Sequence, residues 1–216
     1  MEKIINLKDL LKHEILDLCS VEEQIVESLP DLAENAQGEA LKDAISSYQT
    51  QCQNHLEKLE KLKDSISAEG DSEKEKGFFS SLFGGSNKVT SKGVEGLIKQ
   101  WQLLMKEDLT PEAMDAFIIG AIQKIGHYKI AGYGTLKSYA GELKMDLVRK
   151  ELAISLEDEY LSDQSFTQLA IGSINPEAEN AVDKEKDKKQ ALEDDLNYLG
   201  NSISLINSSD EDEEEA

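Results

Sequence analysis

Four long segments of this chain carry apolar residues three and four positions apart, and each segment has one ionisable residue midway along its apolar seam. This spacing is typical of amphipathic helices that pack against one another. No stretch alternates β-branched and polar residues over the length of a strand. The pattern therefore predicts an all-α protein, and four helices of this length predict a four-helix bundle.

The sequence also indicates where these helices begin and end. Thr110-Pro111-Glu112 is a typical helix start, with a hydroxyl N-cap, a proline in the first turn and an acid at the positive end of the helix dipole. Pro30 is expected to end or kink the first helix. The four helices are predicted at about 7–29, 38–68, 110–143 and 146–171.

Two segments lie outside the four helices. Residues 69–109 are predicted to form a long crossover with a short helix at 94–106 that carries the only tryptophan, Trp101. Residues 1–175 would then form the bundle domain. Residues 176–216 would form a C-terminal extension, with one helix at 177–199 and an acidic, disordered tail.

The formal net charge of -21 limits the partners that this chain can bind. A phosphate backbone requires a basic face, so nucleic-acid binding is not expected, and neither is adsorption to anionic membranes. A membrane span is not expected, because no apolar run reaches the roughly 20 residues that it needs, and a signal peptide is not expected either, because the first residues contain no apolar core of the necessary length. Cys19 and Cys52 are expected to be free thiols in a reducing compartment. The sequence therefore predicts a cytoplasmic protein.

The four ionisable residues on the apolar seams are the main candidates for a functional site: Glu22, His55, Lys129 and Glu159. Burying one unpaired charge costs several kcal/mol, so these four are expected to meet inside the bundle. They could be metal ligands or a hydrogen-bonded polar core. An ammonium group is not a metal ligand at neutral pH. The hypothesis that follows is a buried ion-pair network, in which Lys129 binds Glu22 and Glu159 and fills the space of a metal.

Three short segments resemble a known family: residues 20–24 (SVEEQ), 28–33 (SLPDLA) and 126–136 (GHYKIAGYGTL). They are similar to segments of the bacterial YciE/YciF stress-protein family. The resemblance implies a ferritin-like, rubrerythrin-like four-helix fold that forms dimers. It also implies a link to osmotic and general stress, and a candidate ferroxidase activity with iron or manganese.

The sequence departs from the family pattern at several positions that are glutamate or threonine in the family. Gly126 and Lys129 replace two glutamates, residues 50–52 (TQC) replace Glu-Glu-Thr, and Ile154 replaces another glutamate. The metal-ligand candidates that remain are Glu22, His55, His127, Glu159 and Asp163. The resemblance therefore implies a degenerate metal site. Binding of one divalent ion by Glu22, His55 and Glu159 stays open as an alternative.

Three functions remain open after these observations. The first is a stress-associated, non-catalytic protein without a resident cofactor, acting as a homodimer, a larger assembly or through a partner. The second is a ferroxidase or peroxide-consuming enzyme that binds iron or manganese. The third is an interaction module that docks a partner through its C-terminal helix or through loop 77–85, with Phe78, Phe79, Leu82 and Phe83. No nucleophile–base motif indicates another enzyme class.

Overall fold

A computed structural model of the protein describes residues 4–68, 90–183 and 186–197, and no described residue is in a strand. The prediction of an all-α helical bundle is confirmed. The helices are α1 (Leu7–Asn35), α2 (Glu39–Ala68), α3 (Lys92–Leu104), α4 (Pro111–Glu142), α5 (Asp146–Leu169) and α6 (Asn175–Glu179). A π-helix of five residues, Ala170–Ile174, connects α5 to α6. None of the described helices combines the length and apolarity needed to cross a membrane.

The four long helices form two hairpins, α1–α2 and α4–α5, which pack with α1 against α4 and α2 against α5. Near the start of α4, Asp115 accepts hydrogen bonds from the backbone N–H groups of Gln37 and Gly38 at 2.7 and 2.9 Å. Because those residues join α1 to α2, α4 starts beside the end of α1. It therefore runs antiparallel to α1 and parallel to α2. The chain must return along the whole length of the bundle between the end of α2 and the start of α4, because these two helices run parallel. Residues 69–110 provide this long connection.

Within that connection, α3 lies two residues earlier in the chain than predicted and packs against α1 and α4. Its N-cap, Ser91, donates from its backbone N–H to Ser20 Oγ at 3.1 Å and from its hydroxyl to Asp17 at 3.1 Å. A Cβ atom at Gly93 would lie 2.7 Å from the hydroxyl of Tyr128. Glycine at this position therefore allows α3 to pack close to α4.

Helix α1 does not end at Pro30 but continues to Asn35. Proline has no N–H to donate to the carbonyl four residues earlier, which here belongs to Val26. The side-chain amide of Gln49 on α2 donates to that carbonyl at 3.1 Å. Of the two alternatives predicted for Pro30, an end of the helix is wrong, because a neighbouring helix supplies the missing hydrogen bond.

The chain stays helical beyond the predicted end of the fourth helix at residue 171. Pro176 lies in the first turn of α6, where the absence of an N–H costs least. Residues 181–183 and 186–197 are also helical. The domain division at 175/176 stays a prediction. Loop 77–85, with Phe78, Phe79, Leu82 and Phe83, and the acidic tail lie outside the described residues.

Candidate functional site

Each of the four long helices places one ionisable side chain in the middle of the bundle. Glu22 comes from α1, His55 from α2, Lys129 from α4 and Glu159 from α5. None of the four is more than 1% exposed. They lie on apolar seams that face the bundle axis, so folding buries them together. We call them the ionic tetrad.

The ammonium group of Lys129 lies between the two carboxylates of the tetrad. Its Nζ atom is 2.9 Å from Glu22 Oε2 and 2.7 Å from Glu159 Oε1. It also donates to Cys52 Sγ at 3.2 Å and to the Tyr48 hydroxyl at 3.4 Å. Lys129 is therefore surrounded by acceptors from three helices.

His55 joins the tetrad to the protein surface. Its Nδ1 atom is 3.3 Å from Glu159 Oε1 and 3.6 Å from Glu22 Oε1. Its Nε2 atom is 3.1 Å from Asp158 Oδ2, and this half-buried carboxylate is 3.7 Å from Lys58 Nζ. A polar cleft of about 460 Å³ between α2 and α5 reaches His55 from solvent. The tetrad is thus buried but close to the surface along this path.

Further side chains hold the two carboxylates in place. The Tyr133 hydroxyl donates to Glu22 Oε1 at 2.6 Å. Tyr48 and Gln51 donate to the two oxygens of Glu159, each at 3.0 Å. Charge-assisted hydrogen bonds of this kind fix both position and orientation. The carboxylates are therefore held by neutral donors as well as by cations.

The surroundings of the tetrad shift the pKa values of its members. Burial disfavours the imidazolium of His55, but its close contacts with the carboxylates of Glu159 and Glu22 outweigh this effect and raise its pKa to about 9. Burial opposes ionisation of Glu159 as well, yet Lys129 and His55 lower its pKa to about 2. Burial also disfavours the ammonium form of Lys129, but the acidic side chains around it, led by Cys52 and Glu22, raise its pKa well above the usual value.

The two carboxylates are the groups that keep Lys129 charged at neutral pH. Burial raises the pKa values of the Cys52 thiol and the Tyr48 phenol far enough to leave both groups neutral at pH 7. With two carboxylates, one ammonium and one imidazolium, the tetrad has no net charge. Its two cationic side chains supply the same charge, +2, as one divalent metal ion.

The donor set does not fit a dinuclear metal centre. Ferritin-like dinuclear sites use four glutamates and two histidines, whereas this core holds two glutamates, one histidine and an ammonium group. One atom each from Glu22, His55 and Glu159 lies within 4.8 Å of the others, which suits a single ion. Glu22 Oε2 and His55 Nδ1 have no well-directed hydrogen bond despite their ionic contacts. A single ion would require Lys129 to leave.

Two of the ligand candidates from the sequence lie away from the tetrad. His127 is 66% exposed, and its Nε2 atom is 3.5 Å from Asp163 Oδ1, which also accepts from Gln123 at 3.1 Å. Ile154 is partly exposed on the outer side of α5, so the loss of a glutamate there removes nothing from the core. A Cβ atom at Gly126 would lie 3.9 Å from the Tyr48 hydroxyl, which is an ordinary van der Waals distance.

Tyr48, Tyr133 and Gln51 contact the tetrad but were not predicted as site residues. Their signal was present in the spacing: Tyr48 and Gln51 precede His55 by seven and four residues, and Tyr133 follows Lys129 by four. Such intervals place side chains on one face of a helix. A tyrosine on an apolar seam nevertheless looks like an ordinary core residue until its hydroxyl partner is known.

Fold and site together define an all-α bundle of four long helices with a buried ionic tetrad. A family model described as "Domain of unknown function (DUF892)" matches residues 6–82 and 76–179, so the chain belongs to this family. Protein YciF of Escherichia coli strain K12 is 30% identical over 174 residues, which cover 81% of this chain and 96% of YciF. The resemblance to the YciE/YciF family is therefore confirmed.

Two solved structures have the same fold. The E. coli stress protein YciF matches with a TM-score of 0.68 and 27% identity, over 80% of this chain and 99% of that chain. YcfI from Rhodopseudomonas palustris matches with a TM-score of 0.64 and 27% identity, over 77% of this chain and 96% of that chain.

Proposed function

We propose that this protein is a stress-associated, non-catalytic member of its family, in which the ionic tetrad has replaced a metal centre and which acts by self-association or by binding a protein partner. One observation carries the proposal: the Lys129 ammonium group lies within 3 Å of both core carboxylates, where a ferritin-like protein would place metal. Membership of a family that includes the stress protein YciF supports the stress association.

A metal ion would have to compete with two protonated groups. Binding requires a neutral imidazole, so a proton must leave His55, whose pKa is raised to about 9. The ion must also displace the Lys129 ammonium, which would then be buried without its counter-charges. Breaking a buried ion pair costs about 3–5 kcal/mol. Iron or manganese is therefore expected to bind weakly.

Elemental analysis by mass spectrometry tests this proposal. Wild-type protein, incubated with ferrous iron or manganese and then desalted, is expected to retain far less than one ion per chain. Lys129→Glu turns the competing cation into a third carboxylate and is expected to retain about one ion per chain. Lys124→Glu makes the same charge change at an exposed position of α4 and is expected to behave like wild type.

Near-stoichiometric metal in the wild-type protein would overturn the proposal. The absence of uptake by Lys129→Glu, in a protein whose circular dichroism shows an intact bundle, would also count against it. In that case Lys129 would not be the group that excludes metal.

A mononuclear metalloprotein is the second candidate function. The observation that favours it is that two buried atoms able to bind a metal ion, Glu22 Oε2 and His55 Nδ1, have no well-directed hydrogen bond. If wild-type protein retains one ion and His55→Ala and Glu159→Gln lose it, this candidate replaces the first. Iron-oxidation assays would then decide whether the protein is a ferroxidase. The interaction-module hypothesis stays a prediction, which removal of residues 176–216 would test.

A further inference from the structure

A groove of about 540 Å³ lies between the start of α4 and the residues that follow α6. We call it the extension groove. The exposed side chains of Lys186 and Lys189 border it. Its apolar wall consists of five side chains: Leu109, Ala113, Ala178, Ala181 and Val182. Three of the five are alanines and Val182 is 60% exposed, so the groove has room for larger apolar side chains from another segment.

One wall of the extension groove lies beyond the part of the chain that the family model matches. That model ends at residue 179. Ala181, Val182 and the two lysines that border the groove all follow this position. The groove therefore depends on the C-terminal extension of this chain and not on the bundle alone.

Charge is unevenly distributed along the C-terminal extension. Four lysines lie at 184–189, and no lysine or arginine follows them. The acidic residues after position 190 include six in a row, at 210–215. Lys189 is exposed and has no ion-pair partner within the described part of the chain, while Lys186 is 3.3 Å from the exposed carboxylate of Asp183. The lysines beside the groove therefore attract the acidic run of the same chain.

We propose that the aliphatic segment 203–206 (ISLI) of the same chain occupies the extension groove, while the acidic run at 210–215 pairs with the lysines beside it. Exposed ion pairs contribute little free energy, so burial of the aliphatic side chains supplies most of the stability of this docking. The charges fix its orientation and reduce the repulsion among the acidic residues. The docking requires neither a metal ion nor a second chain.

The chain that follows the last described helix is long enough to reach the groove. From Asn197 back to Lys189, eight residues of helix rise by about 12 Å. Residues 198–199 are apolar, but they cannot return that far, because an extended chain spans about 3.3 Å per residue. Ile203 and Ile206 lie six and nine residues after Asn197, which allows about 20 and 30 Å. The segment that they bound is therefore the first apolar one that reaches the groove.

The effective concentration of two introduced thiols, measured in the full chain in a glutathione redox buffer, tests the docking. One variant combines Val182→Cys with Leu205→Cys. The control combines Leu192→Cys with Leu205→Cys, because Leu192 is 61% exposed but does not border the groove. The control pair is 13 residues apart and the groove pair 23. Chain length alone therefore favours the control pair about twofold.

Docking is expected to reverse this order, so that the groove pair has the higher effective concentration. Peptide mass spectrometry identifies which cysteines are joined, because the chain also contains the buried thiols of Cys19 and Cys52. Circular dichroism confirms that each variant folds.

A charge reversal tests the ion pairs. Lys189→Glu, added to the groove pair, is expected to lower its effective concentration about two- to fivefold, the range for an exposed ion pair. Lys124→Glu makes the same charge change at an exposed position of α4 away from the groove and is expected to have no effect. Sodium chloride at about 0.5 M should shrink the effect of Lys189→Glu, because salt screens exposed charges.

The outcomes separate the possible occupants of the groove. A higher effective concentration for the control pair would overturn the docking. A disulfide between two chains, seen as twice the mass of 24.0 kDa on non-reducing electrophoresis, would place the segment in the groove of a second copy and overturn docking within one chain. Equal effects of Lys189→Glu and Lys124→Glu would overturn the ion pairs. None of these results depends on metal uptake, which tests the tetrad by itself.

Discussion

Lys129 is the residue that most distinguishes this core from a metal centre. Folding removes its ammonium group from water, and only the contacts that the group makes inside the bundle compensate for the lost hydration. A buried ion pair stabilises a fold only weakly compared with well-packed apolar residues. Removing one of its two partners nevertheless lowers the free energy of unfolding strongly, because it leaves a buried charge without compensation. The tetrad therefore acts as a unit in which each charge requires the others.

Replacing Lys129 with methionine tests this dependence. The apolar side chain fills similar space but leaves two buried carboxylates with His55 as their only cation. We expect the free energy of unfolding at pH 7, measured in urea, to fall by about 3–5 kcal/mol. Lys99→Met removes an exposed lysine that pairs with Glu95 and is expected to change it by less than about 1 kcal/mol. Equal effects of the two substitutions would contradict a coupled tetrad.

The raised pKa of His55 predicts how stability depends on pH. The value rises from 6.5 to about 9 on folding. The imidazolium contribution is therefore fully present below about pH 6.5 and is lost as the pH rises through about 9. The loss amounts to at most about 3 kcal/mol. Urea unfolding of wild type between pH 6.5 and 9.5 should show this decline.

His55→Gln is the control for that decline, because glutamine keeps polar groups at the position but does not titrate. The variant is expected to be less stable than wild type at pH 6.5, and its stability should change little between pH 7 and 9. The same decline in both proteins would mean that another group titrates in this range.

The residues of the tetrad could be predicted from the sequence, but its hydrogen bonds could not. An ionisable residue on an apolar seam is visible in the spacing alone, as for Glu22 and Lys129. Whether a residue reaches the core also depends on the rotation of its helix, which is why His127 and Asp163 lie near the surface instead. The partners of Tyr133 and Gln51 lie on other helices, more than a hundred residues away.

Among the elements, α1 shows how a neighbouring helix can override a local signal. Pro30 should end a helix when the chain is considered one segment at a time. The donor that replaces its missing N–H is Gln49, nineteen residues later and on α2. The start of α4, by contrast, was predicted to within a residue, because the Thr110 cap and Pro111 that set it lie at the helix's own first turn.

A double-mutant cycle measures the contribution of Gln49. Gln49→Ala leaves the Val26 carbonyl without its donor and is expected to lower the free energy of unfolding by about 1–2 kcal/mol. In a Pro30→Ala background, the N–H of residue 30 can bond to that carbonyl, so the same substitution should cost much less. The coupling energy, from urea unfolding of four proteins, is expected to exceed about 0.5 kcal/mol. Additive effects of the two substitutions would show that the contribution of Gln49 to stability does not depend on Pro30.

At the scale of the whole molecule, two kinds of electrostatics oppose one another. The formal net charge of -21 makes the exposed surface repel itself, which destabilises the compact state. The tetrad inside the bundle has no net charge, and its two cationic side chains attract its two carboxylates. Salt screens exposed charges separated by more than about 10 Å at 0.1 M, whereas buried pairs are screened much less. The two contributions can therefore be separated by ionic strength.

Sodium chloride is accordingly expected to stabilise the wild-type protein, raising its urea midpoint between about 0.02 and 0.5 M salt as surface repulsion is screened. The difference in unfolding free energy between wild type and Lys129→Met should stay constant within about 0.5 kcal/mol over that range, because every charge that the substitution disturbs is buried. A difference that shrinks with salt would mean that water and ions reach the tetrad, through the cleft beside His55. In that case, the cations of the core would be exchangeable with ions in solution.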